Sequence, residues 1–454
     1  MKKFNYSYNV LRSGVTTNND GSSIFKDSGY NGGDGGFMSA IPLSREMETV
    51  NVPVVKYNDI SDPEEAGKSV ICTMEKRLAY VFYCTAGTEY AEGGDGTKNN
   101  PWASVNYALW KLISLLKCMS EHLYCGAYIK LKCSGVVDYP IRGLEKKDGE
   151  WEEAIFSGYS KLFICDLNIE KKIKKEDFFF SSGSNYASFW VLKGVRDCFF
   201  DGLKLNVELN EELNLYWFTT VCNIHATGYH SENWYMNSDI KYNIFSSGVY
   251  QVDLIFSSGA KIICSNIEFK FNGNCSVGTN SSDFLFYCSS LDVVFDTVDN
   301  YSSVSGYGAW RIYKSNISIN SSGDGFGSHI SLGNKSVVVD SNISIDIKAY
   351  DSRYSAVAAS TFSIIGNVFN STIKSYCVAI GRDVSADSFF AANGVLCDSD
   401  ISFDCDVDGK EQWDCRCCSM REFSSWSAII KNCTIAPSKC YTSRRWIDCY
   451  ECLY

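Results

Sequence analysis

Carboxylates set beside arginines are the first places where this sequence could do chemistry. Asp351-Ser352-Arg353 and Arg382-Asp383 are such pairs, and Asp324, Asp340 and Asp387 lie in similar sequence, with Glu211-Glu212 further forward. Hydrolysis of a glycosidic bond requires two carboxyl groups about 5–10 Å apart. Elimination would instead require a base such as Lys or Arg near an acid-bound metal. Acids spread over a long chain produce such pairs by chance, so Asp324, Asp351, Arg353 and Asp383 are catalytic candidates without a defining motif.

Binding is served by other residue types. Trp217, Tyr229, Trp234, Tyr235, Tyr307, Trp310, Tyr350 and Tyr354 fall in loop-like sequence, where an aromatic face beside acids and amides suits a sugar ring. The competing reading is that Tyr and Trp pack in strands and turns. His122, His225, His230 and His329 come with no HExxH, nucleophile elbow or phosphate-binding loop, and read as core or loop residues.

Of 21 cysteines, several lie inside apolar runs (Cys133, Cys165, Cys198, Cys222 and Cys264) and read as small core hydrophobes. A denser group, Cys405 to Cys452, closes the chain. Within it Cys415, Cys417, Cys418, Cys449 and Cys452 have C-x-C-C and C-x-x-C spacings that could hold tetrahedral zinc. Buried thiols and disulfides formed outside a cell are the alternatives. A structural zinc or another divalent cation is the only cofactor the residues suggest.

The net charge of −11 argues against nucleic acid, whose binders carry a basic footprint. No window approaches 18 apolar residues, so no membrane insertion is expected. The first 20 residues lack an apolar run of signal-peptide length, which predicts synthesis in a cytoplasm.

The elements that must position these residues are short strands. Ser, Asn, Gly, Ile, Val, Phe and Tyr dominate, with only six prolines, a mixture that favours strands between polar turns. Residues 1–77 open with GSS and NGGDGG clusters and read as an arm and attachment segment. Residues 78–120 hold a strand, a Gly/Asp loop and an amphipathic helix N-capped by Ser104, with Val105, Ala108, Leu109, Leu112 and Leu116 on one face.

From about residue 121 to 436 a unit recurs: a polar residue, Ile or Leu, any residue, then another apolar one. Its Ile/Leu positions are Leu167, Leu203, Ile240, Ile267, Leu291, Ile317, Ile343, Ile373, Ile401 and Ile435. The spacings are 36, 37, 27, 24, 26, 26, 30, 28 and 34 residues, too loose for helical repeats but suited to coils of short strands with variable loops. At about 4.8 Å per coil, such a stack is roughly 45–50 Å long. The polar residue before each Ile predicts a stacked ladder of Asn, Asp, Ser and Thr, a structural feature. Residues 437–454 form a Cys-rich cap. The expected fold class is all-β: a right-handed parallel β-helix solenoid with an N-terminal capping helix and a short N-terminal arm.

Residues Leu78–Leu116 also carry a family resemblance. Gly87, Glu89, Asp95-Gly96-Thr97, Asn100-Pro101-Trp102 and Ala108-Leu109 resemble the opening segment of right-handed β-helix proteins of the pectate-lyase-like superfamily. Glu89 stands where Asp is commoner. The order of parts resembles that of bacteriophage tail spikes and other receptor-binding proteins. That resemblance implies a virion tail protein made in the host cytoplasm and attached to other tail proteins through residues 1–77. It implies a homotrimer that binds a host-surface polysaccharide and leaves room for its depolymerisation. A free polysaccharide lyase or glycoside hydrolase and a non-catalytic extracellular or cell-surface adhesin remain open alternatives.

Overall fold

Apolar runs of three or four residues between polar turns bury best by pairing with the same run one repeat later, and parallel ladders result. The protein, described as a computed structural model, covers residues 46–57, 70–121, 127–180, 186–210, 221–226, 232–246, 251–256, 259–273, 275–279, 284–296, 302–306, 310–323, 326–350, 355–381, 383–392, 394–409, 416–419, 429–436 and 440–442. Among these residues it is nearly all β, with one sheet of 21 strands and another of 12. Both are parallel over most of their length, an arrangement compatible with a parallel β-helix.

Repeats in the middle of the stack supply three strands each, and from Phe326 on the last strand of one repeat runs into the first of the next. One repeat consists of Trp234–Met236, Asp239–Ser246 and Gln251–Phe256, and the next of Lys261–Ile263, Asn266–Gly273 and Cys275–Thr279. Every strand of the first pairs in parallel with its counterpart in the second. The middle strands form the 12-stranded sheet, whose register aligns Ile169, Leu205, Ile240, Ile267, Leu291, Ile317, Ile343, Ile373, Ile401 and Ile435. The sequence repeat therefore holds from Ile240 onward. In the first two repeats the paired residues are Ile169 and Leu205, two positions beyond Leu167 and Leu203. Leu203, Leu205, Val207 and Leu209 are all buried, so alternation alone leaves the phase open there.

The expected polar ladder forms, and a second, buried one runs beside it. The column of Asn266, Ser290, Asn316 and Asn342 is present, with Ser290 donating to Asn266 (2.8 Å) and Asn342 to Asn316 (3.2 Å), but it is exposed or half-buried. The buried ladder lies one residue earlier: Ser238, Ser265, Ser289, Ser315, Ser341, Ser371 and Ser399. Each of the first six donates its backbone N–H to the hydroxyl of the next serine at 3.0–3.2 Å. Each hydroxyl in turn donates to the carbonyl two residues upstream, as Ser315 does to Tyr313 at 2.7 Å. Before each serine stands a residue of positive φ, Asn237, Cys264, Cys288, Lys314, Asp340, Asn370 and Asp398, where the chain turns from one sheet into the other.

The N-terminal part folds onto this stack. Strand β1 (Met47–Tyr57) pairs antiparallel with Val70–Tyr80 of β2 (Val70–Thr85), and Ala79–Thr85 of β2 pair in parallel with β3 (Tyr128–Ser134). Helix α1 (Val105–Glu121) follows a loop in which Asp95 and Thr97 accept backbone N–H bonds and Trp102 stacks on Phe82 at 5.2 Å. Ser104 accepts the N–H of Tyr107 as the expected N-cap, and Leu109, Leu112 and Leu116 bury in the main core.

The large sheet is apolar on both faces. Phe163, Phe199, Met236 and Ile263 point away from the main core, and Val50 and Val52 of β1 cover them. Val55 packs against the next stretch of the same outer stripe, which includes Leu285, Tyr313 and Val337. The β1–β2 hairpin therefore straps several repeats together from outside. Glu48 adds ion pairs to Lys130 (2.7 Å) and Lys132 of β3. No helix among the described residues is long and apolar enough to cross a membrane.

Candidate functional site

An apolar-floored recess opens in the early repeats, where a hairpin leaves the stack. Strands Leu144–Lys147 and Glu150–Glu153 pair antiparallel around Asp148-Gly149, both at positive φ, the conformation Asp-Gly favours in a two-residue hairpin turn. Trp151 holds the hairpin to α1 through an edge-on contact with Trp110 at 5.2 Å. The chain returns to the stack through Ala154, which donates to the Gly143 carbonyl at 2.9 Å, and Phe156, which donates to that of Gly194 at 2.7 Å. A Cβ on Gly143 would lie 2.2 Å from the Ala154 oxygen, and Gly194 has φ +69°, so both glycines are required by this close return.

Between the hairpin base and the following repeat lies a cleft of about 580 Å³, lined by Arg142, Gly143, Glu153, Ala154, Ile155, Trp190, Lys193, Gly194 and Arg196. Arg142 and Lys193 are register partners on adjacent parallel strands, and both reach Glu153, Lys193 at 2.6 Å. Arg142 also pairs with Glu89 at 2.8 Å, so the acidic position of the opening loop buttresses the cleft. Burial raises the Glu153 pKa, but the hydrogen bond from Lys193 and the charges of Lys193 and Arg142 outweigh it and hold the carboxyl below its usual range.

The apolar side of the cleft is Ile155, 69% exposed, and the half-buried Trp190. Trp190 stacks on His225 of the next repeat at 5.1 Å, while the Lys193 ammonium lies 5.1 Å from its ring centroid and 5.2 Å from that of the exposed Phe179. Among the described residues nothing accepts a hydrogen bond from the Trp190 indole N–H. An apolar platform beside a small set of fixed charges suits a polar ring compound. Two-carboxylate hydrolysis needs a second acid, and among the described residues Glu153 is the only carboxylate lining the cleft.

None of the sequence-derived candidates among the described residues lines this cleft. Tyr235 is wholly buried and stacks on Phe200 at 5.4 Å; Trp310 is 7% exposed and packs against Phe284 and Phe286. Both are core residues with no face for a sugar. Trp234 is half-buried on the outer face of the large sheet, with the Lys261 ammonium 4.8 Å from its ring centroid. Tyr350 is exposed, far along the 12-stranded sheet. Asp383 begins strand Asp383–Ala392 opposite Ser355, and Cys417 and Cys418 pair with Ala386 and Asp387. Asp324, Asp351, Arg353, Trp217, Tyr307, Tyr354, Cys415, Cys449 and Cys452 lie outside the described residues.

A second recess, about 320 Å³, is lined by Asp138, Glu170, Lys171, Lys172, Lys174, Asn206 and Glu208, with Lys171 paired to Asp177 at 2.8 Å. No group of three or more Cys, His, Asp or Glu among the described residues is placed to hold a metal ion. Compared with known protein families, curated proteins and solved structures, the chain matches none.

Proposed function

We propose that the three ladders close into a right-handed parallel β-helix, with α1 capping its first coil, and that the protein binds a host-surface polysaccharide in the Arg142–Glu153–Trp190–Lys193 cleft. The observation that carries the binding reading is that cleft: an aromatic and aliphatic floor beside charges held in place by one another. Closure is supported by the three strands per repeat in the middle of the stack and by one continuous core running from Phe82 to Ile401. The pectate-lyase-like resemblance and the setting in a virion tail, as a homotrimer attached through residues 1–77, belong to the same proposal.

Binding is favoured over cleavage because Glu153, the one carboxylate lining the cleft among the described residues, is kept ionised and engaged by Lys193 and Arg142. The test is retention of the purified chain on immobilised bacterial surface polysaccharides, with Trp190→Ala as the diagnostic variant. At least one polysaccharide should retain the protein, and Trp190→Ala should weaken retention tenfold or more without changing the circular dichroism. Tyr350→Ala should bind as the parent does. Equal binding by Trp190→Ala, or no retention on any polysaccharide, would remove this reading. Mass spectrometry of purified virions tests the tail assignment separately.

A further inference from the structure

Three thiols meet where the outer hairpin crosses the stack. Cys264 and Cys288 occupy the same turn position in successive repeats, both at positive φ (49° and 50°) and both exposed. Their predecessors, Ile263 and Tyr287, are register partners in the large sheet. Cys264 donates its N–H to the Tyr287 carbonyl at 2.9 Å, and Cys288 makes the same bond to Tyr313 at 3.0 Å. Adjacent strands lie about 4.7–4.9 Å apart. That spacing falls within the range of about 4.4–6.8 Å between the Cα atoms of disulfide-bonded cysteines.

Side chains in this column do reach one another across a repeat. Asn370, at the equivalent turn position, donates to the carboxylate of Asp340 one repeat earlier at 2.6 Å. Cys72 of β2 packs against the cluster that contains Ile263, beside Tyr287. Burial pushes its thiol up to about 11, and the neighbouring Cys264 and Cys288 push in the same direction. Cys72 therefore stays a protonated thiol near neutral pH, whereas Cys264 and Cys288 are open to solvent.

We propose that Cys264 and Cys288 form an oxidative modification site, joined by a disulfide between successive coils when the protein meets a low-molecular-weight disulfide such as oxidised glutathione. One cysteine loses its proton, and its thiolate attacks the small disulfide and expels one glutathione thiolate. The second cysteine, deprotonated in turn, attacks the mixed disulfide and expels the other. Two protein thiols are oxidised and one small disulfide is reduced to two thiols, the two protons passing to the leaving groups. The bond closes the chain from Cys264 to Cys288 beside Cys72 of the β1–β2 hairpin and fixes the coils that the hairpin crosses.

The experiment incubates the full-length folded protein with excess dithiothreitol or oxidised glutathione, alkylates it, and maps peptides without reduction. The expected result is a Cys264–Cys288 linked peptide in the oxidised sample, absent after dithiothreitol, together with a rise in Tm. Cys264→Asn and Cys288→Asn, which place at the turn the residue found at Asn237 and Asn370, should each abolish the linked peptide and the Tm rise. Recovery of Cys264 and Cys288 as separate alkylated or glutathionylated residues after oxidation would overturn the proposal. So would a linkage running to Cys72 instead.

Discussion

At the scale of single residues, the repeat is held by a hydroxyl that serves twice. Ser315 is 2% exposed; its oxygen accepts the N–H of Ser289 at 3.1 Å and its proton goes to the Tyr313 carbonyl. Its own N–H is taken by Ser341 at 3.2 Å, so each serine completes the turn before it. Ser315→Ala leaves the buried Ser289 N–H without an acceptor, a loss of about 1–3 kcal/mol. Ser318 lies on the outward face of the strand that follows, Asn316–Gly323, and its side chain bonds only that of Asn320, at 2.9 Å, among the described hydrogen bonds. Ser318→Ala should therefore stay within about 0.5 kcal/mol of the parent. Urea denaturation of both variants measures the difference, and equal midpoints would show that the ladder contributes no stability.

At the scale of elements, the 12-stranded sheet was legible in sequence because its strands alternate apolar and polar residues. Asn316-Ile317-Ser318-Ile319 reads directly as exposed, buried, half-buried, buried. The helix was equally legible from Ser104 and its leucines. The large sheet was not, because runs such as Phe163-Ile164-Cys165 and Leu285-Phe286-Tyr287 carry apolar residues toward both faces and show no period. What covers the second face, the β1–β2 hairpin, comes from sequence far from the strands it covers. The cleft escaped notice for a related reason: Arg142, Glu153 and Lys193 belong to a hairpin base and a short strand pair, and repeat spacing does not connect them. Docking of the outer hairpin depends on Glu48. Hydrogen bonds from Lys130 and Lys132 hold its carboxyl below the usual carboxylate range, against a smaller effect of burial. A depressed folded pKa means that the stabilisation is complete above the unfolded value of about 4.3 and is lost as pH falls through the lower folded value. Hydrogen exchange in β1 should therefore rise on acidification below about pH 4 in the parent. Glu48→Gln should already exchange faster at pH 7 and change less with acid. A parent and a variant with the same pH response would detach Glu48 from the docking of β1.

At the scale of the whole molecule, two kinds of coupling compete. In the ladders each repeat touches its neighbours, so a defect in the middle of the stack should let its two sides unfold separately. The hairpin opposes this, since Val50 and Val52 grip the outer stripe at Phe163 to Ile263 while Val55 grips it from Leu285 onward. Phe269 sits between those grips, fully buried and edge-on to Tyr242 of the preceding repeat at 5.6 Å. Phe269→Ala removes about 3–5 kcal/mol of packing at that repeat. With the hairpin in place, calorimetry should show one transition at lower temperature, because the strap ties the two sides together. Val52→Asp puts a carboxylate among Phe163, Phe199 and Met236 and should release the strap, since a buried unpaired charge is costly. Combined with Phe269→Ala, it should divide the single transition into two, one for the repeats before residue 269 and one for those after it. Two transitions in Phe269→Ala alone would show that the hairpin carries no coupling. A single transition in the double variant would mean that the ladders themselves are cooperative over their full length, and the outer hairpin would then be a covering without a mechanical role.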